Sequence, residues 1–203
     1  MVALVGLAVV FAAGCGTTNS GTPKSSESQS GAGQTRTDAG AGGPAAFAWL
    51  RPAPAPAAWP VAHVPGAIAL AYPRTWSRIQ SDRGTVSAAR VDARSGLIAE
   101  YLNATPQQAQ ETPANWTSFR PAHNREEGDS HVRVLATARN LRFRNGLGSC
   151  VIDRYTTSRT TYQEIACLVR GHAGGPVIVA AAQAAGWAQA APALERAVSA
   201  FEA

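Results

Sequence analysis

The sequence predicts an α+β domain, an antiparallel β-sheet flanked by helices. Short runs rich in Val, Ile, Leu, Tyr and Thr recur between Gly, Pro and polar turns across residues 68–182, the pattern of strands packed on a core. Several of the connections are of hairpin length, and hairpins imply antiparallel pairing. The chain closes on Leu194, Ala197, Val198 and Phe201, spaced i, i+3, i+4, i+7 as one apolar helical stripe. With 203 residues, 45% of them hydrophobic, and five Trp, the chain can build one packed core with a modest extension, which excludes global disorder and two large domains. The formal charge of +5 comes from dispersed arginines and a single lysine, Lys24, which argues against a nucleic-acid partner.

Residues 2–13 are uncharged and apolar and stop abruptly at Gly14-Cys15-Gly16. The run has the form of a signal-peptide core, and it is too short for a hydrocarbon layer that needs roughly 20 helical residues. Ala12-Ala13-Gly14-Cys15 resembles the lipobox of bacterial lipoproteins. That resemblance implies removal of residues 1–14, a diacylglyceryl thioether with an N-acyl chain on Cys15, and stable anchoring on the extracytoplasmic face of the cell membrane. Residues 16–46 are rich in Gly, Ser, Thr, Ala and Gln without hydrophobic period, the composition of a flexible tether with a reach of roughly 30 Å. Arg51-Pro-Ala-Pro-Ala-Pro56 favours a stiffer polyproline II spacer. The expected organisation is therefore a signal peptide over 1–14, a lipidated Cys and tether over 15–59, and one domain over 60–203.

Within the domain, Ile68 to Tyr72 reads as a strand stopped by Pro73, with Trp76 returning to the core. Thr85 to Val91 and Leu97 to Leu102 flank an Asp92-Ala-Arg-Ser-Gly96 turn. Pro113 and the i, i+3 pair Trp116 and Phe119 predict a short helix over 113–120, ended by Pro121. Residues 131–138, 140–144, 149–157, 161–170 and 176–182 read as successive strands. Pro192 suits the first position of the terminal helix, with Trp187 in the preceding loop or in an extra helical turn.

The order of these landmarks resembles the PsbP-like fold. It rests on Tyr72-Pro73-Arg74-Thr75-Trp76 after an opening strand, a hairpin, a helix bearing Trp116, a meander through Tyr155 and Tyr162, and a closing helix near Phe201. The resemblance spans about residues 66–203 and implies an α/β/α sandwich with a binding or assembly role. It transfers no catalytic residue.

Setting Cys15 aside leaves Cys150 and Cys167, a pair that an exported chain would oxidise. Folded about a two-residue loop at Ser158-Arg159, the two lie directly opposite each other at a non-hydrogen-bonded position, where Cα atoms come within about 4.5 Å. Two buried free thiols are the alternative. Zinc is disfavoured, because no further Cys or close His completes four ligands.

The same register sets Asp153 opposite Glu164. Hairpin surface charge beside Arg154 and Arg170 is the expected role, against a carboxylate of raised pKa used in acid/base chemistry. His123, Glu126, Glu127, Asp129 and His131 match no standard metal-ligand spacing and read as a solvated loop. Ser149 lacks the glycine that a nucleophile elbow needs two positions on, and Gly171 to Gly175 lacks the Lys-Ser/Thr ending of a phosphate loop. Neither a cofactor nor a catalytic constellation is indicated. Arg142 and Arg144, on one face of a strand, form a candidate basic patch toward lipid headgroups or envelope polymers. The expectation is a non-enzymatic module that binds an envelope protein or polymer. A receptor for a small apolar or lipidic ligand comes second, and an envelope hydrolase third.

Overall fold

The structure is a computed structural model that describes residues 44–64, 68–108, 110–172 and 174–203. The signal segment, Cys15 and the tether up to residue 43 lie outside the described residues. A 3-10 turn, Pro44–Phe47, precedes strands β1 (Val61–Val64), β2 (Ile68–Ala71), β3 (Ser77–Ile79), β4 (Val86–Val91) and β5 (Ile98–Thr105). Helix α1 (Trp116–Glu126) follows, then β6 (Ser130–Phe143), β7 (Gly146–Thr156), β8 (Thr161–Arg170) and β9 (Val177–Gln183). After a second 3-10 turn the chain ends in helix α2 (Trp187–Ala200).

Seven strands form one antiparallel sheet in the order β3-β4-β5-β9-β8-β7-β6, and β1 pairs with β2 in a separate hairpin. Helix α1 is the crossover that carries the chain from β5 in mid-sheet to β6 at the edge. The α+β class follows directly. Burial on both faces explains the apolar composition of β8: Ile165, Cys167 and Val169 point into one core, Ala166 and Leu168 into the other. The first core lies under α2 and the β1-β2 hairpin, where Leu194, Ala197, Val198 and Phe201 meet Leu70, Trp76, Ile178 and Ala180. The second lies under α1, where Trp116 covers Val151, Ala166, Leu168, Val177 and Val179.

The two turns singled out from sequence form as hairpins. Asp92 Oδ1 accepts from the backbone N–H groups of Arg94 and Ser95, and Gly96 takes a φ of 68° that an L side chain rarely adopts. At Ser158-Arg159 the Thr157 hydroxyl accepts from two turn amides while Thr157 N–H donates to Thr160 O, so the loop closes without Asn-Gly.

Several boundaries differ from the sequence reading. Residues 44–59 do not belong to the tether: Phe47 is 3% exposed, Trp49, Leu50 and Trp59 pack against the same core, and Ala53 and Pro54 hydrogen-bond to Ser199 and Arg196 of α2. The large apolar side chains bring this segment onto the domain despite its prolines. The strands expected over 131–138 and 140–144 are one long, bent β6, whose register shifts are accompanied by positive φ at His131 and Asn140.

Both helices contain a proline where the sequence reading sets a boundary. Pro121 lies inside α1 and Pro192 inside α2. An interior proline costs about 3 kcal/mol of helix stability, and here the packed faces of Trp116, Pro121 and Asn124, and of Ala190, Leu194, Ala197 and Val198, offset it. Strands β1 and β3 have no counterpart in the sequence reading, being only four and three residues long.

Candidate functional site

Helix α1 docks on the sheet through a polar cluster that its sequence spacing places on one face. Trp116, Arg120 and Asn124 recur every fourth residue and all turn toward β7 and β8. The Trp116 indole donates to Ala166 O at 2.9 Å. Arg120 grips Glu164 with both arms of its guanidinium, Nε to Oε1 at 2.7 Å and Nη2 to Oε2 at 2.9 Å. Asn124 Nδ2 donates to Asp153 Oδ2 across a long 3.4 Å. Asp153 and Glu164 pair directly across β7 and β8, and both are fully buried. The surface-charge reading of these two acids is therefore corrected: α1 covers them, and Glu164 finds its cation in Arg120, not in Arg154 or Arg170.

One arginine faces two carboxylates in this interior, and the cluster resolves the imbalance with a proton. Burial, reinforced by the Glu164 charge opposite, pushes Asp153 up to about 8, so it is largely neutral at pH 7. Asp153 Oδ1 and Asn124 Oδ1 have no hydrogen-bond partner among the described residues. A neutral acid requires fewer donors than a carboxylate does. Burial likewise raises Tyr101 and Tyr155, which flank the pair from β5 and β7.

The acidic and histidine residues expected in a loop are divided by the fold. His123 and Glu126 lie in the last turn of α1, where His123 stacks on Phe119 with ring centroids 5.8 Å apart and approaches Glu127 at 3.3 Å. A hydrogen bond to Glu127 raises His123, and the same bond lowers Glu127. Among the described residues no three His, Cys, Asp or Glu converge on a metal position.

Arg142 and Arg144 do not share a strand face. Arg142 stands exposed near the end of β6, whereas Arg144 lies in the β6–β7 turn and pairs with Glu202 near the C-terminus. Gly146 opens β7 beside this turn, and a Cβ there would run into Arg170 O. Beside Arg142, Pro113, Asn140, Leu147, Gly148, Ser149 and Arg170 line an open cleft of about 200 Å³. The Ser149 hydroxyl donates to Pro113 O at 2.6 Å, which ties it to the loop before α1.

No protein-family model and no curated protein matches the sequence. Solved structures with some resemblance to this chain include two from bacteria. One is PA94 of Pseudomonas aeruginosa, a protein of unknown function, with 8% identity and a TM-score of 0.42 over 71% of this chain and 96% of that one. The other, from Bacteroides thetaiotaomicron, has 13% identity and a TM-score of 0.37 over 68% of this chain and 46% of its own.

The Cys150–Cys167 disulfide forms as the hairpin register requires, with the Cα atoms 4.2 Å apart and both residues fully buried. Sequence reasoning misses Asn124 because it ends the helix before Pro121, and it misses Arg120, which lies inside the expected helix, because nothing local pairs it with Glu164, 44 residues away. Their four-residue spacing from Trp116 is the signal that finds them.

Proposed function

We propose that this chain is an extracytoplasmic lipoprotein, anchored through Cys15, whose PsbP-like domain works as a non-enzymatic binding or assembly module. The Cys150–Cys167 bridge carries this reading, since a disulfide between core strands belongs to an oxidising compartment. The apolar run ending at Gly14-Cys15 agrees with it and supplies the anchor. The PsbP-like assignment is supported by the Tyr72-Pro73-Arg74-Thr75-Trp76 segment after β2, the crossover helix bearing Trp116 and the closing helix α2.

Binding rather than catalysis is favoured by what α1 does to the acids. Glu164 is held by a bidentate arginine and Asp153 is closed off beneath a helix, so neither carboxyl group faces a substrate from solvent. The cleft beside Arg142, at about 200 Å³, is smaller than the 300–1,000 Å³ usual for enclosed ligands, which favours a surface partner over a small apolar ligand. Metabolic labelling with a fatty-acid probe tests the anchor. The full-length protein labels and fractionates with membranes, and Cys15→Ala abolishes both. An unlabelled, soluble wild-type protein in the producing cell would refute the reading.

A further inference from the structure

The register aligns three exposed side chains across the edge of the sheet: Arg142 of β6 pairs with Leu147 of β7, which pairs with Arg170 of β8. All three project on the side that α1 covers further along the strands. Leu147 is 51% exposed, one of three large hydrophobic residues so exposed among those described. Among the described residues neither Arg142 nor Arg170 has a carboxylate partner, in contrast to Arg144, Arg90 and Arg120. Two strand spacings set the arginine Cα atoms about 10 Å apart with the leucine between them. Asn140, Gly148 and Pro113 leave the cleft open beside the row.

We propose that the Arg142–Leu147–Arg170 row is a docking face for an anionic phospholipid surface. Two unpaired cations flanking one apolar side chain complement a lipid interface, where guanidinium groups meet phosphates and the leucine enters the headgroup layer. The inference rests on the membrane-anchored reading for its source of lipid. Its physical content, a face selective for anionic bilayers, holds or fails independently of acylation.

The test is vesicle flotation of the chain from residue 15 onward carrying Cys15→Ser, prepared with the disulfide formed, on phosphatidylglycerol-containing and on pure phosphatidylcholine vesicles. Binding should be selective for the anionic vesicles and weaken with salt. The Arg142→Glu/Arg170→Glu variant should lose at least about tenfold in affinity, and Leu147→Ser roughly threefold. An Arg83→Glu/Arg94→Glu variant, with the same change in net charge at other exposed positions, should bind as the parent does. Equal losses in the two double variants would reduce the effect to net charge and overturn the proposal. So would full binding by Leu147→Ser, which would leave the leucine no part in docking. Circular dichroism of each variant verifies the fold. Failure of Cys15 labelling with flotation intact would overturn the anchor alone.

Discussion

Asp153 holds a proton in the native state that the unfolded chain does not hold at neutral pH. Its native pKa of about 8 stands far above the roughly 3.9 of an unfolded aspartate. A raised acid contributes its full stability below the unfolded value, and that contribution is lost as pH rises toward the native value. Folding takes up one proton across this window, and one proton corresponds to a slope of about 1.4 kcal/mol per pH unit. Asp153→Asn removes the titration while leaving a group of similar size facing Asn124 and Glu164. Urea unfolding of both proteins between pH 5 and 7.5 should show the wild type losing stability relative to Asp153→Asn as pH rises, by on the order of 1 kcal/mol per unit. Parallel curves would place the proton elsewhere. The raised His123 acts in the same direction but is common to both proteins, so the comparison isolates Asp153.

At the scale of elements, the β7–β8 hairpin concentrates the constraints. It carries the disulfide, the buried acid pair and the Tyr155–Tyr162 stack within ten cross-strand pairs. The bridge closes a separation of 17 residues, and loop-closure entropy assigns it about 3 kcal/mol. Replacing both cysteines by alanine should cost roughly that amount in equilibrium denaturation. A double variant as stable as the parent would show that the hairpin is held by pairing and packing alone. This register is legible in the sequence, because side chains in a strand alternate with period two and a short loop leaves few alternatives. The helix boundaries are less legible. Proline is a local signal, and the packing of Asn124 and Ala190 that extends each helix beyond or ahead of its proline is not local.

Over the whole molecule, the domain reaches back to Pro44. Phe47 fills a place in the core under α2, and Arg196 donates to Pro54 O at 2.9 Å. Phe47→Ala should destabilise the domain by about 3 kcal/mol, as for other buried aromatics, and should expose residues 48–58 to limited proteolysis. An unchanged denaturation midpoint would return this segment to the tether.

The amino-acid sequence by itself determined the class of the fold, the β7–β8 register with its Cys150–Cys167 and Asp153–Glu164 pairs, and the apolar face of the last helix. Each of these is written in local periodicity, which a chain expresses through the geometry of strand and helix alone. Tertiary structure decided which charges are buried and which are free. Asp153 and Glu164 read as surface acids until α1 crosses over them with Arg120 and Asn124, and Arg144 reads as a partner-seeking cation until Glu202 comes beside it. The burial and pairing of a charge depend on residues tens of positions away, and only the folded chain brings those within a few ångströms.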